Sequence, residues 1–132
     1  MDKRLDKAIR LLSVQEQLHK MAEWKSAALQ RQAAELQRAQ ATLIQTLNDD
    51  DTLHGLFVDA RSRRLQALAG EEAQVKEAQE AQAKVVFDKA MQVKRTERMV
   101  TSLTAEHRRA QEKKDYLLLL DRLMSKSGAS LP

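Results

Sequence analysis

Aliphatic residues return every three or four positions along nearly the whole chain, the spacing that gathers them on one face of an α-helix. In the first third they run Leu11, Val14, Leu18 and Met21, and then Leu29, Ala33, Leu36, Leu43 and Leu47. The two blocks are offset near Trp24 and Lys25. The offset predicts a stutter, a four-residue insertion that locally relaxes a supercoil, with Trp24 packed into it. Further on, Leu53, Leu56, Phe57, Leu65, Leu68, Val75, Val86, Val93, Val100, Leu103, Ala110, Leu117 and Met124 mark a second seam. Asp2 is a candidate N-cap for the first helix. Asp6/Arg10, Glu16/Lys20, Glu72/Lys76 and Glu80/Lys84 stand at i,i+4 in the favourable order for helical ion pairs.

Between the two seams lies Asn48-Asp49-Asp50-Asp51-Thr52. Asn and Asp side chains compete for backbone hydrogen bonds and favour turns and N-caps. Three adjacent carboxylates also oppose the negative end of one helix and suit the positive start of the next. The expected fold is therefore all-α: a long antiparallel two-helix coiled-coil hairpin forming a single domain over 1–132. Helix 1 is expected at about 2–48, the turn at about 48–52, helix 2 at about 52–126 and a flexible tail at 127–132. Gly70 costs roughly 1 kcal/mol against Ala inside helix 2 and marks a bend or a break there.

Two registers compete. With a turn near residue 50, residue i faces roughly residue 100 − i, so Leu43 meets Phe57, Leu36 meets Leu65, Leu29 lies near Leu68 and Val14 meets Val86. With residues 52–70 as a separate cap, i faces about 120 − i, and Leu43 and Leu36 meet Glu77 and Lys84. The first matches apolar to apolar and is the expectation. Helix 1 then runs out of partners near residue 98, and residues 100–126 overhang by roughly 40 Å at 1.5 Å per residue. That overhang carries Leu103, Ala110, Leu117, Leu118, Leu120, Leu123 and Met124, a stripe with no partner in the chain. Leu117–Leu120 cover the whole circumference of a helix, so some of them face outward in any register.

Composition narrows the class. Charged residues make up 32% and aromatics 3%, with two Phe, one Tyr and one Trp, too little bulk for a globular core. Pro132 is the sole proline and there is no cysteine, which excludes disulfides and thiolate metal sites. The charged start MDKRLDKAIRLL lacks the apolar region of a secretory signal, and no apolar run approaches membrane-spanning length; a cytoplasmic protein is expected. Charge is unevenly spread: 1–48 carries net +3, 49–80 net −4 and 81–132 net +5. A fold-back near residue 50 would bring both basic ends together, opposite an acidic tip.

Catalytic chemistry finds no foothold. His19, His54 and His107 are far apart and form no HExxH or His/Cys cluster. Asp49–Asp51 lack the spacing and closing Glu of a calcium loop and read as helix caps. There is no phosphate-binding loop and no G-x-S-x-G, so no enzyme activity, cofactor or metal is expected. Lys94, Arg95, Arg98, Arg108, Arg109, Lys113 and Lys114 would suit a nucleic-acid surface, but Glu97, Glu106, Glu112 and Asp115 intersperse them and no stacking aromatics accompany them. A solvated face or a protein contact fits these residues better.

The size, the Asn/Asp turn a third of the way along, the longer second helix and the charged run His107-Arg108-Arg109-Ala110-Gln111-Glu112-Lys113-Lys114-Asp115 together resemble the FliJ family of flagellar type III export stalk proteins and their YscO-type virulence relatives. The resemblance implies a cytoplasmic, non-catalytic coiled-coil stalk, peripheral at the inner-membrane export apparatus. In that reading the end bearing the termini enters a hexameric export ATPase, the half near the turn contacts the export gate, and export chaperones are escorted. The ATPase-end contacts would be Leu103, Arg108, Arg109, Lys113, Lys114, Leu117, Leu120, Leu123 and Met124, and the turn-end contacts Leu36, Leu43, Leu65 and Leu68. Gln32 to Leu47 lacks the aromatic that relatives often carry, and Tyr116 to Leu120 is more apolar than usual. A generic coiled-coil adaptor or scaffold is the alternative.

Overall fold

In the computed structural model the chain is two helices, α1 (Lys3–Asp49) and α2 (Gly55–Ala129), packed against each other. The structure describes residues 2–49 and 55–129, and among these there is no strand. The N-cap forms as expected: the Arg4 N–H donates to Asp2 Oδ1 at 3.0 Å, and the Asp2 carbonyl accepts the first helical bond from the Asp6 N–H at 3.2 Å. α1 ends at Asp49, inside the acidic run. The expected start of helix 2 at Asp51 or Thr52, the seam residue Leu53 and the Leu56 side chain lie outside the described residues. α2 passes through Gly70 without a break: one exposed glycine costs a helix only roughly 1 kcal/mol, and the packed seam at Leu68 and Val75 on either side holds it. It also continues to Ala129, so residues 127–129 are helical rather than tail.

The expected stutter is absent. On α1 one row of covered positions, Leu5, Ala8, Leu12, Gln15, His19, Ala22, Ser26, Leu29, Ala33, Leu36, Gln40, Leu43 and Leu47, alternates in steps of three and four without interruption, with Ala27, Ala34 and Thr46 half-buried beside it. Leu11, Val14, Leu18 and Met21 each sit one position before this seam and are exposed, and Trp24 is 68% exposed rather than packed. The reason lies across the interface. The α2 seam runs Arg61, Leu65, Leu68, Glu72, Val75, Gln79, Gln82, Val86, Lys89, Val93, Thr96, Val100 and Leu103 with the same unbroken spacing. A partner with one continuous phase holds α1 in one phase too, even where small or polar residues must occupy the seam.

The described residues of 16–91 form one compact unit, and those of 1–15 and 92–132 another. In the first, the Gln37 amide donates to Glu72 Oε1 at 3.2 Å, the Gln40 amide to Glu72 Oε2, and the Gln82 amide to the Ala22 carbonyl at 3.0 Å. Leu43 shares a groove with Ala39, Thr42, Thr46, Arg64 and Leu68. These pairs place residue i across from about residue 108 − i. In the second unit Leu103 and Met99 line one groove with Arg4, Lys7, Ala8 and Leu11, which fits the same relation. The expected register is therefore corrected, and the rejected alternative does not hold either. Leu43 lies by Arg64 and Leu68 rather than Phe57 or Glu77, Leu36 is flanked by residues bound to Glu72, and Val14 is exposed instead of meeting Val86. Matching apolar to apolar failed because several observed layers are polar.

Two helices enclose little. Leu68, Val75 and Leu103 are the best-covered large aliphatics, at 4%, 7% and 6% exposure, and among the described residues no side chain is wholly enclosed. Leu68→Ala should cost about 2 kcal/mol, the low end for a core leucine, because the open rim lets the site relax. Urea denaturation followed by helicity measures this; an unchanged midpoint would mean that Leu68 does not belong to the seam.

Candidate docking surface on the C-terminal helix

The N-cap of α1 fixes where the cover over α2 ends. Asp2 lines a shallow groove with Glu106, His107, Ala110, Gln111 and Lys114, and from Glu106 to Gly128 every side chain is exposed. Counting from about residue 108, some 21 residues of α2 continue past α1, roughly 32 Å at 1.5 Å per residue. The overhang thus begins about eight residues later than the sequence register implies. Leu103 is buried beside Ala8 and belongs to the hairpin's own seam, not to a docking surface.

The remaining residues expected at this end are exposed. Leu117, Leu120, Leu123 and Met124 are 51%, 37%, 55% and 72% exposed, joined by Tyr116, Leu118 and Leu119. Arg108, Arg109, Lys113, Lys114 and Arg122 are exposed along the same stretch. A helix holds its shape from backbone bonds and good helix formers, so it can display leucines on all sides without its own core. Such a cluster is the kind of surface that marks an interaction site.

The turn-end residues behave differently. Leu68 is buried, and Leu36, Leu43 and Leu65 are half-buried in the seam. They hold α1 and α2 together. Among the described residues, the large apolar groups presented near the turn are Ile44, Phe57 and Val58. A cue for these existed in the sequence: each falls beside, or beyond, the aliphatic phase shared by Leu65, Leu68 and Val75. Gln17, Lys20, Met21 and Trp24 line a further shallow groove on α1.

The most organised polar group lies in the seam itself. Glu72 accepts the amides of Gln40 and Gln37 from α1 and pairs with Lys76 at 3.0 Å, with its side chain 15% exposed. The Gln40 bond first, then the bonds from Lys76 and Gln37, hold its carboxyl at about 2, well below the usual carboxylate range. Because the folded-state value is depressed, the stability Glu72 contributes is present above the ordinary carboxylate range, about 4.3, and is lost as pH falls from there toward 2. Stability measured against pH should therefore fall more steeply between these limits in the native chain than in Glu72→Gln. Parallel curves would mean that the clamp does not form in solution.

His19 pairs with Glu23 at 3.0 Å, and His54 lies outside the described residues. Among the described residues no group of three or more His, Cys, Asp or Glu side chains is placed to hold a metal ion, and no helix is long and apolar enough to cross a membrane. Fold and surface together define an antiparallel helical hairpin whose second helix outruns the first. No protein-family model matches the chain, and no curated protein or solved structure is significantly similar to it.

Proposed function

We propose that the chain acts by contact rather than catalysis, as the stalk of a type III, flagellar-type protein export apparatus. In this reading the overhanging end of α2 inserts into a hexameric export ATPase, and the hairpin links that ring to the export gate and to export chaperones. The chain then resides in the cytoplasm, peripheral to the inner membrane. The observation that carries the reading is the inequality of the helices. α1 has 47 residues and α2 has 75, and the excess displays Leu117–Leu120, Leu123 and Met124 among basic side chains. A shaft that enters a ring needs one helix longer than the other, with apolar anchors at its end and cations to orient docking. At the other end Ile44, Phe57 and Val58, rather than the seam leucines, are the exposed apolar groups among the described residues that a gate protein would meet.

A generic adaptor would use the same surface without a ring, and an ATPase assay separates the two readings. The purified chain should show no turnover and should stimulate a ring ATPase from its own cell. Intrinsic hydrolysis, or no effect on that ATPase, would contradict the stalk reading.

A further inference from the structure

We propose that the overhanging segment also binds a second copy of this chain, pairing residues 112–126 of the two copies antiparallel about a twofold axis beside Leu119. This inference does not rest on the export reading.

Tyr116, Leu120 and Leu123 form one exposed stripe at steps of four and three, and Leu117 and Leu119 flank it on either side. Two such stripes laid antiparallel set Tyr116 against Leu120 of the second copy, and Leu120 against its Tyr116. Leu119 then lies beside Leu119 of the second copy at the axis. The same relation between core and flanking positions operates in the hairpin's own seam, where Leu11 and Met99 flank the groove formed with Ala8 and Leu103.

Charge selects the occupant and its direction. Under this operation Glu112 comes beside Lys126 of the second copy, on the same flank of the stripe as Leu119, whereas Lys114, Asp115, Asp121 and Arg122 lie on the outer side of the helix and stay in water. Twofold symmetry makes this pair occur twice, once at each end of the contact. Lys113 is the charged residue within the stripe, at a position where its aliphatic stem can lie along Leu123 of the second copy. A parallel pairing would instead set Glu112 beside Leu117 of the second copy, with no cation opposite it. The contact is about 22 Å long at 1.5 Å per residue, at the small end of specific interfaces, so pairing depends on concentration. It covers the leucines that a ring would take, which makes self-pairing and ring insertion mutually exclusive states of one surface.

Sedimentation equilibrium on the full chain tests the proposal. The native chain should show a monomer–dimer equilibrium below roughly 100 µM. E112K and K126E each bring like charges together at both ends and should weaken pairing by about tenfold. An equimolar mixture of the two variants should regain near-native pairing, because the mixed dimer restores opposite charges. A native chain that stays monomeric over this range, or a mixture no tighter than either variant alone, would overturn the proposal. Position-specific linking gives an independent reading, since the chain has no cysteine of its own. A short bismaleimide should join L119C into dimers but not E112C, whose two copies would lie about 21 Å apart. Equal joining of both would indicate a parallel pair and refute the arrangement.

Discussion

Leu117→Ser together with Leu120→Ser should abolish capture of the ring ATPase proposed as the partner while leaving the helicity of the chain nearly unchanged. Both side chains are substantially exposed in the overhang, so neither contributes to the seam. Burying a leucine in a partner is worth roughly 1.5–3 kcal/mol, so losing two weakens binding by at least about a hundredfold. Serine in place of leucine costs a helix only a few tenths of a kcal/mol per site. Neutralising Arg108 and Arg109 should act differently, slowing association in a salt-dependent way with a smaller loss of affinity. Titration calorimetry and circular dichroism on the same preparations separate these effects. Binding that survives the double change, or a double variant that unfolds, would show that this end is not the docking surface.

Gln15→Leu should stabilise the protein by about 1–3 kcal/mol. Gln15 occupies a seam position, and its Oε1 is buried with no hydrogen-bond partner among the described residues. Leucine removes the unsatisfied acceptor and adds apolar contact. At this chain length the gain corresponds to a rise of several degrees in Tm. Gln82→Leu provides the contrast. Gln82 is 7% exposed but spends its amide on the Ala22 carbonyl. Its replacement should gain less and should loosen the register, since a satisfied polar layer specifies alignment at a cost in stability. Equal gains at both sites would mean that the unpaired oxygen of Gln15 finds a partner in solution.

What the sequence reveals of this fold divides along a physical line. Local signals are legible: the Asp2 cap, the end of α1 in the acidic run, and the α2 seam through Val75 and then Val86, Val93 and Val100, the last three β-branched residues at heptad spacing. The early α1 seam is not legible, because Gln15, His19, Ala22 and Ser26 fill it while the bulkier Leu11, Val14, Leu18 and Met21 sit one residue earlier. Hydrophobicity alone then selects the wrong face and invents a stutter. The register fails for a related reason, since layers such as the one around Glu72 are held by hydrogen bonds that an apolar match does not count. The overhang survives the correction in shortened form. Four consecutive leucines cannot all be covered by one helix, so Leu117–Leu120 are exposed in any register, whereas Leu103 depends on the alignment and is buried.

The alignment decides where α1 stops along α2, and with it which residues are left for a partner. Cysteine linking measures it directly. Leu43→Cys with Leu65→Cys should close a disulfide within one chain under mild oxidation, because the two positions lie opposite each other when i faces about 108 − i. Leu43→Cys with Phe57→Cys should not, as those positions are displaced by about 12 Å along α2. Efficient closure of the 43–57 pair, or of Leu43→Cys with Glu77→Cys, would contradict the register and move the boundary of the exposed surface with it.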